Sequence, residues 1–211
     1  MFIRSYTSTR PVIETEEDGT FELVVKKYFP NNDQPGGRAM SNLLDCMSLN
    51  EQIELCGPTG GIEYDGNGKF TIEGKETHFN RVTLILGGSG ITLGYQLIAR
   101  VLESECDKTQ IAAINVNKSE ADVLEREELQ SFKDKHRCQF RIEHVVSHPS
   151  EEWDGKKGHV NADVIREVGQ RGIALQPACN DPEGCAASFE GLGVSGGEEL
   201  FWFLGLKQRY S

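Results

Sequence analysis

The stretch Val82-Thr83-Leu84-Ile85-Leu86-Gly87-Gly88-Ser89-Gly90-Ile91-Thr92-Leu93 decides the fold. Its first five residues form an apolar run of strand length. Beyond the glycines, Ile91, Tyr95, Ile98 and Leu102 recur at the spacing of one helix face. A strand that ends in a glycine turn and feeds a helix is the unit of an open α/β sheet, in which ligands bind outside the carboxyl ends of the strands. Gly87, Gly88 and Gly90 carry no Cβ, so the backbone there can turn sharply and lie against a flat or phosphorylated ligand. The helix that follows offers free N–H groups and the positive end of its dipole. Glycine-rich turns of this kind also occur with no ligand, so this run alone leaves dinucleotide binding open.

On the C-terminal side the pattern alternates between strand and helix. Apolar strands are expected at 110–116, 140–146, 173–176 and 200–204. Helices are expected at 91–103, at 120–134 with Val123, Leu124 and Phe132 inward, and from an Asn161 cap to Val168 with Gly169 as the stop. Such alternation implies a mostly parallel sheet with helices on both faces. On the N-terminal side the chain is β-rich. Alternation over 21–29 suits a half-buried strand, Met40, Leu43, Leu44 and Met47 mark a short amphipathic helix, and short strands are expected at 52–56 and 70–72 around the GPTGG and DGNG turns. The change of pattern falls near Thr77 to Arg81, which divides the chain into domains at 1–78 and 79–211.

Composition narrows the function. A net charge of −11 with no basic stripe argues against nucleic acid. No apolar run reaches the roughly 20 residues of a membrane span, and the first residues lack the apolar core of a signal peptide. A soluble, cytoplasmic protein is expected. Cys46, Cys56, Cys106, Cys138, Cys179 and Cys185 form no CxxC pair, and His78, His136, His144, His148 and His159 show no ligand spacing. Reduced thiols and no metal site follow.

Four separated runs, Arg4-Ser5-Tyr6-Thr7-Ser8, Val25-Lys26-Lys27-Tyr28-Phe29, Gly36-Gly37-Arg38-Ala39-Met40-Ser41 and Gly87-Gly88-Ser89-Gly90-Ile91-Thr92, occur in one order. Asn117-Lys118-Ser119-Glu120 with Arg126-Glu127-Glu128-Leu129, and Trp153 with Gly158-His159-Val160, follow them. Together they resemble the ferredoxin-reductase-like flavoproteins, in particular the cytochrome-b5 reductase branch that includes the flavin module of assimilatory nitrate reductases.

The resemblance implies α/β plus β architecture: a partial antiparallel FAD-binding barrel followed by a Rossmann-like, parallel-sheet NAD(P)-binding domain. It implies an NAD(P)H-dependent flavin oxidoreductase that passes electrons through FAD to a heme domain or a cytochrome-b5-like acceptor. Heme and molybdenum cofactor would belong only to a full-length parent. FAD would be held by Arg4, Tyr6, Thr7, Ser8, Tyr28, Gly37, Met40 and Ser41, and the nucleotide by Gly87, Gly88, Ser89, Gly90, Thr92, Asn117 and Lys118. Thr7, Lys26, Ser89 and Cys179 would stand at the reacting rings. The residue types suit these roles: Arg4 offers a bidentate cation for pyrophosphate, the tyrosines an aromatic face with a polar end, and Thr7 a hydroxyl.

Departures from the family pattern are visible. Ser89 stands for the more usual Thr and Leu93 for Pro, and the late cysteine run is lengthened as Cys179-Asn180-Asp181-Pro182-Glu183-Gly184-Cys185. The Arg-x-Tyr-Thr run also comes at the very start of the chain, where the family has several barrel strands before it. A C-terminal fragment of a larger gene product is therefore expected. The alternatives are a free-standing cytochrome-b5 reductase and a noncatalytic nucleotide-binding remnant. For the nucleotide, the basic Lys118 in the loop after the second strand predicts that NADPH is at least accepted.

Overall fold

The computed structural model of the protein describes residues 4–10, 19–27, 39–57, 59–170, 193–194 and 199–204. Helix α1 (Ala39–Cys46) precedes strands β1 (Ile62–Gly66), β2 (Lys69–Ile72) and β3 (Lys75–His78). Then come β4 (Arg81–Gly87), α2 (Ile91–Leu102), β5 (Gln110–Asn117), α3 (Arg126–Lys135) and β6 (Phe140–Val146). The last elements are β7 (Lys156–Lys157), α4 (Ala162–Gln170), β8 (Gly193–Val194) and β9 (Glu199–Leu204).

Strands β1, β2 and β3 form a 3-stranded antiparallel sheet. Its turns are Asn67-Gly68, with φ of 51° and 77°, and Glu73-Gly74, with φ of 49° and 77°. Two successive positive φ values make the tight hairpin turn whose twist matches its strands. Ile62 and Tyr64 on β1 and Phe70 and Ile72 on β2 face inward, while Glu63 and Asp65 stay exposed.

The second sheet has the order β7-β6-β5-β4-β9-β8. Strands β4, β5, β6 and β9 run parallel, and β8 is antiparallel to β9. Strand β4 is buried from Val82 to Leu86, as a central strand covered on both faces must be. On one face Leu84, Leu86, Ile111, Ala113, Phe140 and Ile142 pack with Ile91, Ile98 and Leu102 of α2 and Leu129 of α3. On the other, Ile85, Ile114 and Val145 pack with Ile165 and Val168 of α4. Phe70 and Phe79 belong to the first of these clusters, so the small sheet shares its core with the large one. Helix α2 lies close to β4 because Gly94 faces Leu86, where an added Cβ would stand 2.5 Å from Leu86 Cδ1.

Several elements depart from the expected ones. The helix expected over 120–134 is broken. Ser119 and Asp122 form a capping box that closes one short turn, Val123 is extended at φ −76° and ψ 100°, and α3 starts only after Glu125. The strand expected over 21–29 is reduced, among the described residues, to a single bridge from Leu23 to Ser8, backed by Thr9 N–H donating to Glu22 O at 2.9 Å. Residues 52–56 pair with no strand among the described residues, and Ile53 and Leu55 are exposed. Alternation marks a strand's faces but cannot supply the partner its backbone needs. Asn161 does cap α4, accepting the Val164 N–H at 3.0 Å on Oδ1, but the helix runs through Gly169 to Gln170. The strand expected at 173–176 lies outside the described residues.

Candidate functional site

The chain moves from β4 outward through β5 and β6 to β7, then returns to place β9 on the other side of β4. The carboxyl end of β4 is therefore a topological switch point, where a crevice opens in such sheets. The glycine turn sits there. Gly87 is extended at φ −103° and ψ 118°, and the turn Gly88–Gly90 leads directly into α2. Gly88 has a φ of +54° and nothing within 4 Å of where a Cβ would be, so the backbone is both left-handed and open on that side. Thr92 is buried and donates its hydroxyl to Ser89 O at 3.0 Å, which braces the turn. The hydroxyl of Ser89 forms no hydrogen bond among the described residues.

One strand over, β5 ends at Asn117, and Lys118 to Asp122 form the loop beside the crevice. This loop is anchored from β6 by Ser147 N–H donating to Asn117 O at 3.0 Å and His148 N–H donating to Lys118 O at 2.8 Å. Both acidic groups of the loop are occupied. Glu120 accepts the Ser150 N–H at 2.7 Å and the Ser150 hydroxyl at 2.9 Å, which hold its carboxyl below the usual range. Asp122 is paired with Lys26, whose hydrogen bond lowers the carboxyl most, and also accepts from Ser119. Lys118, by contrast, is exposed and makes no ion pair among the described residues.

Beneath the loop lies a buried polar ladder. Asn117 is 6% exposed and donates its Nδ2 to Asn115 Oδ1 at 2.9 Å, while its own Oδ1 is buried with no partner among the described residues. An acceptor left this way costs roughly 1–3 kcal/mol. Asn115 in turn reaches His144 Nδ1 at 3.4 Å. Burial, and then the charges of Arg126 and Lys133, push His144 down to about 4, so its ring is neutral at ordinary pH.

The segment expected to hold a flavin approaches this loop through Lys26. Arg4 and Tyr6 are exposed, Thr7 and Ser8 half-buried, and the Ser8 hydroxyl donates to Arg10 O at 3.1 Å. Met40 is half-buried and Ser41 buried in the first turn of α1, which Lys27 ties back through Asp45. Tyr28, Gly37 and Cys179 lie outside the described residues. Thus Lys26, Asn117 and Lys118 are brought to one loop, and Gly87, Gly88, Ser89, Gly90 and Thr92 to one turn.

Sequence reasoning passed over Asp122, Asn115 and His144. The Ser119-x-x-Asp122 spacing is a readable capping box; the His144–Asn115 pairing depends on β5–β6 register and has no local signal. Trp153 is buried, donates its indole N–H to Lys156 O at 3.0 Å and lies under Arg126, 5.1 Å from its ring centre. It therefore holds the wall behind the loop. No group of metal-binding side chains occurs among the described residues.

The oxidoreductase FAD-binding domain family matches residues 1–64 and the oxidoreductase NAD-binding domain family residues 84–183. The chain belongs to the FAD- and NAD-binding oxidoreductases. Within them it is a cytochrome-b5-reductase-like FAD/NAD(P)H module of the nitrate reductase type. It is 35% identical over 167 residues to the NADPH nitrate reductase of Aspergillus niger, covering 78% of this chain and 19% of that protein. To the NADH nitrate reductase of Lotus japonicus it is 37% identical over 186 residues, covering 85% of this chain and 20% of that one. The chain thus spans about a fifth of the length of these relatives. Among solved structures, the cytochrome b5 reductase domain of Ulva prolifera nitrate reductase superposes with a TM-score of 0.74 at 30% identity, covering 78% of this chain and 63% of that domain. The antiparallel sheet followed by a parallel one is the ferredoxin-reductase-like arrangement of these modules.

The residues present fit such cofactors. Among the described residues, the open left-handed backbone at Gly88 is a cradle that a side chain would fill, and Asn117 Oδ1 is an acceptor in want of a donor. No helix among the described residues is long and apolar enough to cross a membrane.

Proposed function

We propose that this chain is the reductase module of a nitrate reductase, taking electrons from NAD(P)H through FAD to a heme-type acceptor. The single observation that carries this reading is the open glycine turn at the switch point, flanked by a loop to which the flavin-side segment is tied by the Lys26–Asp122 ion pair. When bound, the nicotinamide and the flavin supply hydride transfer and the onward passage of single electrons. The chain's own residues bind, orient and exclude water.

Arg4 neutralises the flavin pyrophosphate, Tyr6 and Tyr28 offer ring surface, and Thr7 and Ser8 offer hydroxyls near the ring. Gly37, Met40 and Ser41 form the anion cradle at the start of α1. Gly87, Gly88, Ser89 and Gly90 line the meeting point of the two rings, with Thr92 holding their turn and Cys179 at the nicotinamide. Lys26 orders the boundary between the cofactors. Asn117 and Lys118 receive the adenosine ribose. The flavin part extends over 1–78 and the nucleotide part over 79–211.

A full-length parent would carry heme and molybdenum cofactor and serve nitrate assimilation. A cytoplasmic setting is supported by the unpaired thiols of Cys46, Cys56, Cys106 and Cys138.

Absorbance of the purified chain after incubation with FAD, followed by anaerobic addition of NADPH or NADH, tests the reading. A bound flavin spectrum that bleaches on addition is expected. A chain that retains no flavin, or a bound flavin that neither nucleotide reduces, would sink it.

A further inference from the structure

We propose that His144 is a positioning residue for the nucleotide: through Asn115 it holds the Asn117 side-chain carbonyl as an acceptor for a ribose hydroxyl of the adenosine half of NAD(P)H. This role rests on nucleotide binding at the end of β5, as proposed above.

The three side chains form one line of hydrogen bonds. Asn115 and Asn117 are two residues apart on β5 and so project from the same face of the sheet. The β5–β6 register sets Asn115 opposite His144. Each amide carries a carbonyl at one end and an N–H group at the other, so a chain of two amides can run in either direction. Its direction is set at whichever end has only one option.

His144 is that end. Arg126 and Lys133 on α3 are the charges that bear on it, and with burial they keep the ring neutral. With Nδ1 as acceptor, it takes the Asn115 Nδ2 at 3.4 Å. Asn115 must then show its Oδ1 to Asn117, which donates Nδ2 at 2.9 Å. Asn117 is left with its carbonyl oxygen unused, buried, at the carboxyl end of the second parallel strand. Reversing the line would put an N–H group there and set the Asn115 carbonyl oxygen against the bare Nδ1, two acceptors facing each other, unless the ring proton moved to Nδ1.

The position defines the ligand chemistry. In doubly wound sheets the carboxyl end of the second strand meets the adenosine ribose. A sugar hydroxyl is a donor, and an acceptor already stripped of water rewards it. The 3′-hydroxyl is common to both nicotinamide nucleotides, so this contact strengthens binding without choosing between them. The choice is left to Lys118, the next residue, which is exposed.

Isothermal titration of the full chain with NAD+, and separately with NADP+, reads the effect without turnover. His144→Leu removes the only acceptor that directs the line, and both affinities should fall by about tenfold, one hydrogen bond's worth. His144→Gln, whose side-chain oxygen can accept from Asn115, should return to within about threefold of the parent. If the Leu variant does not fold, the ring tautomer and the Asn117 amide of the parent decide the role without it.

Nitrogen-15 spectra of the parent should show the His144 ring protonated on Nε2 and bare on Nδ1. Addition of NAD+ should shift the Asn117 side-chain amide. A folded His144→Leu chain with parental affinity, an Nδ1-protonated ring, or an Asn117 amide indifferent to NAD+ would each overturn the role. A parent that binds neither nucleotide would instead overturn the nucleotide reading itself, and the relay's ligand with it.

Discussion

Lys118 and Glu120 stand two positions apart with opposite charges, and from the sequence either could meet the adenosine ribose. The structure separates them: Glu120 is spent on Ser150, Asp122 on Lys26 and Ser119, and Lys118 stays exposed. A free cation beside the ribose accommodates the extra phosphate of NADPH, where a free carboxylate would repel it. Lys118→Glu should therefore lower the ratio of NADPH to NADH turnover by about tenfold, the worth of one charge-assisted contact. Steady-state kinetics with each nucleotide would show it, and an unchanged ratio would remove Lys118 from the ribose. The glycine turn and the residue types proposed for the site were legible because they lie in short runs, each readable from its own few residues. Which carboxylates were already engaged was not legible, since Lys26 lies 96 residues from Asp122 in the chain.

At the scale of elements, α2 shows how a tertiary contact reverses a local preference. On an exposed helix, Gly→Ala stabilises by about 1 kcal/mol. Gly94, however, faces Leu86 of β4, and an added Cβ would stand 2.5 Å from Cδ1 and 2.8 Å from Cδ2 of that side chain, which is fully buried. Overpacking of this kind costs about 1–3 kcal/mol. Gly94→Ala should thus lower the melting temperature where helix propensity alone would raise it. An increase on calorimetry would mean that α2 does not rest on β4 as closely as the structure has it. Periodicity found α2, β4, β5, β6 and the Asn161 cap of α4, each a segment whose own pattern suffices. It missed β1 and β3, which are short and polar on one face, and ran α3 through Val123, where a three-residue turn closed by the Ser119–Asp122 capping box had already ended.

On the scale of the whole molecule, the two sheets are joined by Tyr64 and Asp107. Tyr64 on β1 donates its hydroxyl to Asp107 Oδ2, which also accepts the Asn67 N–H at 2.8 Å, while Oδ1 accepts the Thr109 N–H at 3.0 Å and its hydroxyl at 2.6 Å. Tyr64 also accepts the Gly68 N–H at 3.0 Å. Burial would raise the Asp107 carboxyl, but the hydrogen bonds from Thr109, Tyr64 and Asn67 outweigh it and hold it below its usual range. Burial first, and then Asp107, pushes Tyr64 up to about 12, so it remains a donor at any physiological pH.

Because the folded carboxyl is depressed, its contribution is whole above the unfolded value of about 4 and is lost as pH falls through the lower folded value. Tyr64→Phe should cost about 1–3 kcal/mol at neutral pH in urea denaturation, and the gap to the parent should narrow below about pH 4. A gap that is the same at pH 7 and in acid would mean that Asp107 is not held by this hydroxyl.

By itself the sequence determined the alternation of strand and helix from β4 to β6, the glycine turn, the kinds of group a flavin and a nicotinamide nucleotide need, and the family. These properties live in runs of a few residues, where spacing and residue type act locally. Only the tertiary structure decided that Lys26 pairs with the loop after β5, that Asn115, Asn117 and His144 make one line across two strands, and that a shared core joins the sheets through Phe70 and Phe79. Each of these joins residues far apart in the chain. Register and packing, which bring such residues within bonding distance, depend on the whole core being assembled, and no local pattern encodes them.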